Sequence, residues 1–234
     1  SDGGWGSTSD AIDCMAYCVA MDIPISNNSW GGGGYSQAMK DVITESAEMG
    51  HLFCAAAGNS SNDNDKRAFY PATYDCPNVL SVAASNSKDA LAYFSCFGKT
   101  TVDLAAPGVN ILNLTPNGGT GSLSGTSMAS PHVAGAAALL LSQNPEVTFL
   151  ELKNILLNSV DPIDAFKDKM VSGGRLNLLK AVETHGPNWL EVSPTSGSVV
   201  AGGKTNLPFA INAENLVAGT KQAVVSLKTN DPLA

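Results

Sequence analysis

The sequence predicts an α/β domain built as a three-layer parallel sheet, followed by a partial all-β module of sandwich type. Over residues 1–184, nearly continuous apolar segments alternate with amphipathic ones. Strands that are apolar on both faces are typical of a parallel sheet with helices on both sides. From residue 185 the helical periodicity stops, and short β-like segments separated by Gly, Pro and Asn follow. We therefore expect two domains, residues 1–184 and 185–234.

The first half of the α/β region contains clear helix and strand boundaries. A helix is expected to begin at Ser9 or Asp10, which suit a helix cap, and a short strand is expected at residues 23–26. Ser36 suits the cap of a second helix, which Gly50 ends.

The second half continues the alternation. Residues 148–151 resemble a capping box, and the long helix before them is apolar almost all round, which predicts a central position. The predicted strands are residues 51–57, 79–84 and 102–106, and the predicted helices are residues 126–143 and 149–159.

The C-terminal segment has the pattern of a β-sandwich cut short. An immunoglobulin-type sandwich needs about 100 residues, and residues 186–234 supply about half of that. The predicted strands here are residues 189–192, 198–200, 207–211 and 223–227.

Composition excludes several classes of protein. With 44% apolar and 15% charged residues in a chain of 234, a sizeable core can form and intrinsic disorder is excluded. A formal net charge of −8 argues against nucleic acid and anionic membrane surfaces as partners. No apolar run reaches the 18 residues that a membrane span needs.

The five cysteines form no CxxC pair, which argues against a zinc site. Cys14 and Cys18 stand four residues apart in the first predicted helix, and we expect both to be small buried residues. Cys54 lies in an apolar strand and is also expected to be buried. Spacing alone leaves a Cys76–Cys96 bridge open.

Residues 125–135, GTSMASPHVAG, carry the strongest chemical signal. The segment delivers Ser127 to the first turn of a helix, among backbone N–H groups without helical partners and near the positive end of the helix dipole. An oxyanion formed beside this serine would be stabilised by the same N–H groups. From the residues alone, an ordinary Ser/Thr helix cap explains the segment equally well.

These eleven residues resemble the nucleophile motif of the subtilases, the subtilisin-like serine peptidases. Two more motifs of that family have counterparts here in the same order. Residues 29–31, SWG, resemble the segment that pairs with substrate backbone, and residues 55–59, AAAGN, resemble the segment that carries the oxyanion-hole asparagine. The resemblance covers about residues 1–184.

The resemblance implies a role for each matching residue. Ser127 would be the nucleophile, and the Asn59 side chain with the Ser127 backbone N–H would form the oxyanion hole. Phe69 would lie at the base of the pocket for the substrate side chain, although ordinary core packing explains it as well. The residues that would bind substrate are Ser29, Trp30, Gly31, Gly4, Ala57 and Gly58.

The sequence departs from the family pattern in its catalytic base. Subtilases carry an Asp motif and then a His motif before the SWG segment. Only 28 residues precede Ser29, and they contain neither motif. None of the three histidines, His51, His132 and His185, stands in such a motif. The resemblance therefore implies an N-terminally incomplete catalytic domain that is inactive by itself.

The resemblance implies no cofactor for the chemistry. Asp103 stands where some subtilases bind a weak cation, so a structural Ca²⁺ or Na⁺ is an expectation, with local capping of the backbone as the alternative.

Two functions from different classes follow. The first is a secreted serine endopeptidase that acts on polypeptides through an acyl-enzyme. The second is a non-catalytic extracellular binding or adhesion module on a subtilase-like scaffold. The C-terminal segment resembles β-sandwich repeats of bacterial extracellular proteins and fits both functions.

Overall fold

The computed structural model describes residues 6–116, 118–185, 190–194, 196–200 and 203–211. The chain divides into two compact units, Ser1–Thr184 and His185–Ala234. The helices are α1 (Thr8–Ala20), α2 (Gln37–Glu48), α3 (Thr126–Gln143), α4 (Phe149–Asn158) and α5 (Leu178–His185). The strands are β1 (Ile25–Asn28), β2 (Leu52–Ala56), β3 (Val79–Ser85), β4 (Leu104–Pro107), β5 (Ile111–Leu114), β6 (Thr120–Leu123), β7 (Asp161–Pro162), β8 (Gly174–Arg175), β9 (Leu190–Val192) and β10 (Phe209–Ile211).

The main sheet of the first unit has the strand order β1-β2-β3-β4-β8-β7. Its strands run parallel from β1 to β8, and only β7 pairs antiparallel. Every residue of β2 and β3 is buried, as expected for strands covered on both faces. The predicted parallel sheet is confirmed.

Helices cover the two faces of this sheet, which gives the predicted three layers. Leu52 and Cys54 of β2 belong to a core cluster with residues of α3 and α4. Phe53 and Ala55, which alternate with them along the strand, belong to a cluster with residues of α1 and α2. The central helix α3 contacts β1, β2, β3 and β4, as its apolar sequence predicts.

Helix starts follow from local hydrogen bonds. Ser36 caps α2, and Thr148 with Glu151 forms a capping box at α4, as predicted. The prediction for α1 is wrong: Ser7 is the cap, and Asp10 is its capping-box partner three residues later. The side chain of Asp10 accepts a hydrogen bond from the backbone N–H of Ser7, so the cap lies two residues before Ser9 and three before Asp10.

An antiparallel hairpin, β5–β6, precedes α3 and was not predicted. Leu112 and Leu114 point to its solvent side and are 70% and 78% exposed. These strands lack a polar–apolar alternation that follows burial, so the local pattern does not predict them.

The thiols divide between core and surface. Cys54 is fully buried, as predicted, and Cys76 and Cys96 are also buried but unbridged. The prediction for the first pair is wrong: Cys14 is exposed and Cys18 is half-buried. Met15 is the only buried residue of helix α1, so neither of its cysteines is part of the core.

The second unit shows one antiparallel pair, β9 with β10, within its described residues. Residues 198–200 were predicted to form a strand but have no regular structure, and residues 223–227 lie outside the described part. None of the helices in the described ranges has the length and apolar character to span a membrane.

Candidate active site

Ser127 lies in the first turn of α3 and exchanges two hydrogen bonds with the segment that follows β1. Its hydroxyl donates to the carbonyl oxygen of Ser29 at 3.2 Å, and the Ser29 hydroxyl donates to the carbonyl oxygen of Ser127 at 2.8 Å. The start of α3 is thus fastened to the SWG segment. Ser127 is half-buried, and its hydroxyl hydrogen is engaged in the hydrogen bond to this backbone carbonyl.

Asn59 follows the end of β2 and is fixed in orientation by Thr126. Its Oδ1 accepts hydrogen bonds from the Thr126 backbone N–H at 2.8 Å and from the Thr126 hydroxyl at 3.0 Å. The Thr126 hydroxyl in turn accepts from the Gly58 N–H at 3.1 Å. Because the amide oxygen is held towards Thr126, the Nδ2 donor of Asn59 must face the other way.

Gly125 keeps open the space between two donors. A Cβ placed on Gly125 would lie 3.6 Å from Asn59 Nδ2 and 3.6 Å from the Ser127 backbone N. The two nitrogens therefore lie at the same distance from one point beside Gly125. An oxyanion hole needs two donors that reach one atom next to a nucleophile.

Two further polar side chains, Ser130 and Asn27, connect α3 to Ser29. The Ser130 hydroxyl donates to Asn27 Oδ1 at 2.8 Å, and Asn27 Nδ2 donates to Ser29 Oγ at 3.0 Å. Sequence reasoning missed Asn27 and Ser130. The only available signal was weak, since Ser130 stands one helical turn after Ser127 on the same helix.

The histidines are engaged elsewhere. His51 is buried, and its ring contacts Ser26 and the carbonyl of Ile23; burial lowers the pKa of this imidazole. His132 is exposed, with Nδ1 2.8 Å from the carbonyl oxygen of Met128. The side chain of His185 lies outside the described residues. Within the described part of the chain, Ser127 has no hydrogen bond to a histidine.

The residues predicted to bind substrate include Trp30 and Gly31, which belong to the glycine-rich segment after β1. Trp30 is 41% exposed, Gly31 is exposed, and the next residue, Gly32, donates its N–H to the carbonyl of Tyr70. Gly4 lies outside the described residues. Because β1 and β2 are neighbours, with Asn28 opposite Ala55, the segments that follow them lie side by side next to Ser127.

The gap between these two segments holds the Phe69 ring. A Cβ on Gly31 would come within 2.6 Å of Phe69 Cζ, and one on Gly58 within 3.0 Å of Phe69 Cγ. Both glycines are thus required by the ring's position. Ala57 is fully buried, and its backbone N–H and carbonyl bond to Val82 and Asn64, so it supports this edge from within the core.

Asp103 has a cation supplied by the chain itself. Its carboxylate accepts from the Ser81 N–H at 2.7 Å and lies 3.3 Å from Lys153 Nζ, which also donates to the carbonyl of Val79. Burial raises the pKa of Asp103, while the ammonium and the Ser81 N–H act in the opposite direction. The oxygens that a Ca²⁺ or Na⁺ would need already bind an ammonium, so this arrangement does not fit a metal ion.

Other metal sites lack support in the described residues. No group of three or more His, Cys, Asp or Glu side chains there is placed to hold an ion.

Comparison with known proteins places these residues in a family context. Residues 1–208 match the Subtilase family of peptidases, Peptidase S8. The chain is 39% identical to subtilisin E of Bacillus subtilis (strain 168) over 154 residues, which are 65% of this chain and 40% of that protein. It is 43% identical to subtilisin-like protease 3 of Arthroderma benhamiae over 155 residues, 63% of this chain and 37% of that protein.

A solved structure has the same fold. The prenylagaramide maturation protease PagA superposes with a TM-score of 0.67 at 33% identity, covering 76% of this chain and 68% of that one. The chain spans about 40% of the length of the curated subtilisins that it matches.

Proposed function

The chain belongs to the subtilase family, and from this membership we propose that it forms part of a serine endopeptidase that hydrolyses polypeptides through an acyl-enzyme. The observation that carries the proposal is local. Asn59 Nδ2 and the Ser127 backbone N each lie 3.6 Å from the point where a Cβ of Gly125 would stand.

The proposed reaction uses these groups in sequence. An extended polypeptide lies along residues 29–31 and places a carbonyl carbon at Ser127 Oγ. The hydroxyl attacks, and the carbonyl oxygen accepts hydrogen bonds from Asn59 Nδ2 and the Ser127 N–H as it becomes negative. The amine leaves with a proton, an acyl-serine forms, and water then releases the carboxylic acid.

The general base must come from outside these 234 residues. Ser127 now donates its proton to a carbonyl that cannot take it up, and a neutral hydroxyl is a weak nucleophile. Loss of the histidine from a triad of this kind costs on the order of 10⁶ in turnover. We therefore expect the 234-residue chain to be inactive when it is alone.

Phe69 limits the side chain that can enter beside the scissile bond. Its ring occupies the gap between Gly31 and Gly58, where a substrate side chain would otherwise insert. The proposal therefore favours small residues at this substrate position.

The remaining features complete the proposed protein. Residues 1–184 form the C-terminal part of the catalytic domain and residues 185–234 the start of a β-module. The parent protein is exported, and the chemistry needs no cofactor, because serine, amide and imidazole groups supply every step.

The coding sequence before residue 1 tests the proposal first. An Asp-Ser/Thr-Gly motif followed by a His-Gly-Thr-His motif is expected there, and the longer protein should hydrolyse polypeptides. Ser127→Ala should abolish that hydrolysis, while Ser142→Ala, at an exposed serine of α3, should leave it unchanged. Absence of both motifs would instead favour the extracellular binding or adhesion module.

A further inference from the structure

The Trp30 indole is held from beneath by a buried asparagine. Its Nε1–H donates to Asn28 Oδ1 at 3.2 Å, although 41% of the Trp30 surface is exposed. Residues 31–34, which follow, are all glycine, so the loop has no side chains of its own that could fix the ring. Asn28 is only 6% exposed.

Behind Asn28 the hydrogen bonds continue to a buried histidine. Asn28 Nδ2 donates to Ser26 Oγ at 2.8 Å, and Ser26 Oγ lies 2.7 Å from His51 Nε2. At the far end, His51 Nδ1 lies 2.6 Å from the carbonyl oxygen of Ile23. His51 is 1% exposed, so water does not compete for its ring.

The direction of every hydrogen bond follows from the Ile23 carbonyl. A carbonyl oxygen only accepts, so Nδ1 of His51 carries the proton and Nε2 of the neutral ring is an acceptor. The Ser26 hydroxyl must then donate to Nε2, which leaves its lone pairs for the Asn28 amide N–H. The Asn28 oxygen is thereby turned towards Trp30.

We propose that His51, Ser26 and Asn28 are positioning residues that fix the indole of Trp30, the central residue of the SWG segment. The inference deepens the proposed function and rests on it for one point, that a bound polypeptide lies along residues 29–31. An oriented ring then gives that polypeptide a fixed apolar wall next to Ser29, whose hydroxyl and carbonyl pair with Ser127. The donor and acceptor roles along these hydrogen bonds stay fixed, because burial favours the neutral form of His51.

The test follows the indole N–H of Trp30 by NMR in the 234-residue chain. The protein has three tryptophans, and Trp30→Phe assigns the signal. His51→Leu and Ser26→Ala remove one link each and should increase solvent exchange of this N–H by about 2- to 10-fold, the equivalent of one hydrogen bond. His51→Gln keeps an acceptor for the Ser26 hydroxyl and should preserve the protection.

Matched measurements separate positioning from general loosening. Ser142→Ala removes a hydroxyl that donates to the carbonyl of Leu139 and should leave the Trp30 signal unchanged. Unchanged exchange in both His51→Leu and Ser26→Ala overturns the proposal. Equal loss of protection in His51→Gln and His51→Leu also overturns it, because the acceptor would then be irrelevant. If His51→Leu does not fold, Ser26→Ala alone decides.

Peptide titration of the same samples keeps the two proposals distinguishable. A tetrapeptide amide should shift the amide signals of Gly31 and Gly58 in the native chain, and Ser26→Ala should weaken its binding by about 2- to 10-fold. If no peptide shifts these signals in the native chain, the proposed pairing of substrate with residues 29–31 fails. The proposed contact of the Trp30 ring with substrate then fails as well. Equal peptide binding in native and Ser26→Ala chains, with Trp30 released, overturns the positioning role alone.

Discussion

Two polar clusters of the first unit differ in how they are completed. Around Ser127 the described residues are neutral: Ser29 exchanges hydrogen bonds with it, Asn27 bonds Ser29, and Asn59 bonds Thr126. Around Asp103 the chain supplies its own cation, because the Lys153 ammonium lies 3.3 Å from the carboxylate. Within the described residues, the first cluster contains no charged partner, and the second has its charges balanced.

This difference between the two clusters distinguishes the contacts that stabilise the fold from the groups that catalysis would need. A buried carboxylate without a partner costs several kcal/mol, so folding requires the counterion of Asp103 to be built in. A neutral serine hydroxyl needs only a hydrogen-bond acceptor, and a backbone carbonyl supplies one. The fold is therefore stable without a base beside the serine.

The largest expected effect on stability concerns the cluster around Asp103. Lys153→Met leaves Asp103 buried without its counterion and should lower the free energy of unfolding by about 3–5 kcal/mol. Chemical denaturation measures it. The matched control is Lys99→Met, which breaks an exposed pair with Asp168 and should cost less than about 1 kcal/mol. Equal costs for the two variants would contradict the buried ion pair.

Asn59→Ala should act on the other cluster, where it also removes the acceptor of two hydrogen bonds from Thr126, and its effect on rate is read from kcat. It removes the Nδ2 donor from the space beside Gly125, so peptide hydrolysis should slow by about 10²–10³ once a base is supplied, the loss measured for such a donor in a subtilisin. The comparison is kcat at saturating substrate against the native protein. A loss confined to KM would show that Asn59 binds substrate and does not stabilise the oxyanion.

Phe69→Ala should change which substrate is preferred. Removing the ring opens the gap between Gly31 and Gly58, and the ratio of kcat/KM for a large over a small substrate side chain should rise by about 10- to 200-fold. Peptides that differ only at this residue measure it. An unchanged ratio would assign Phe69 to core packing.

The smallest effect tests charge pairing at the far edge of the sheet. Hydrogen bonds from Lys180, then Asn177, and the nearby charges hold the pKa of Asp161 at about 2. A carboxylate with a lowered pKa stabilises the fold above its ordinary value of 3.8, and that contribution is lost as the pH falls towards 2.

Asp161→Asn should therefore cost about 1–2 kcal/mol at neutral pH and almost nothing at pH 2. Denaturation curves of the native and variant proteins between these limits measure the difference. A pH-independent difference would mean that ionisation of Asp161 contributes nothing.

Local sequence predicted the parts of the fold and the site that depend on neighbours along the chain. The continuous apolar runs of β2 and β3 indicated a sheet covered on both faces, and the segment around Ser127 indicated a serine at a helix start. The cap of α1 was missed by two residues because Ser7, Ser9 and Asp10 all suit a cap, and only the capping box distinguishes them.

Contacts between distant residues could not be predicted. Lys153 pairs with Asp103 across 50 positions, and Ser130 bonds Asn27 across 103. No local pattern encodes such a pairing, since only the packing of α3 and α4 on the sheet brings these side chains together. The same holds for His51 and Ser26, whose link depends on the register of β1 with β2.

The central proposal is that Ser127 is the nucleophile, that Asn59 and the Ser127 N–H are oxyanion donors, and that the described residues supply no base to Ser127. The most direct measurement is labelling of the 234-residue chain with a fluorophosphonate, with and without free imidazole as an external base. We expect little labelling in plain buffer and imidazole-dependent labelling that Ser127→Ala abolishes. Strong labelling in plain buffer that is lost in Ser127→Ala would contradict the account, because the chain would then contain a base of its own.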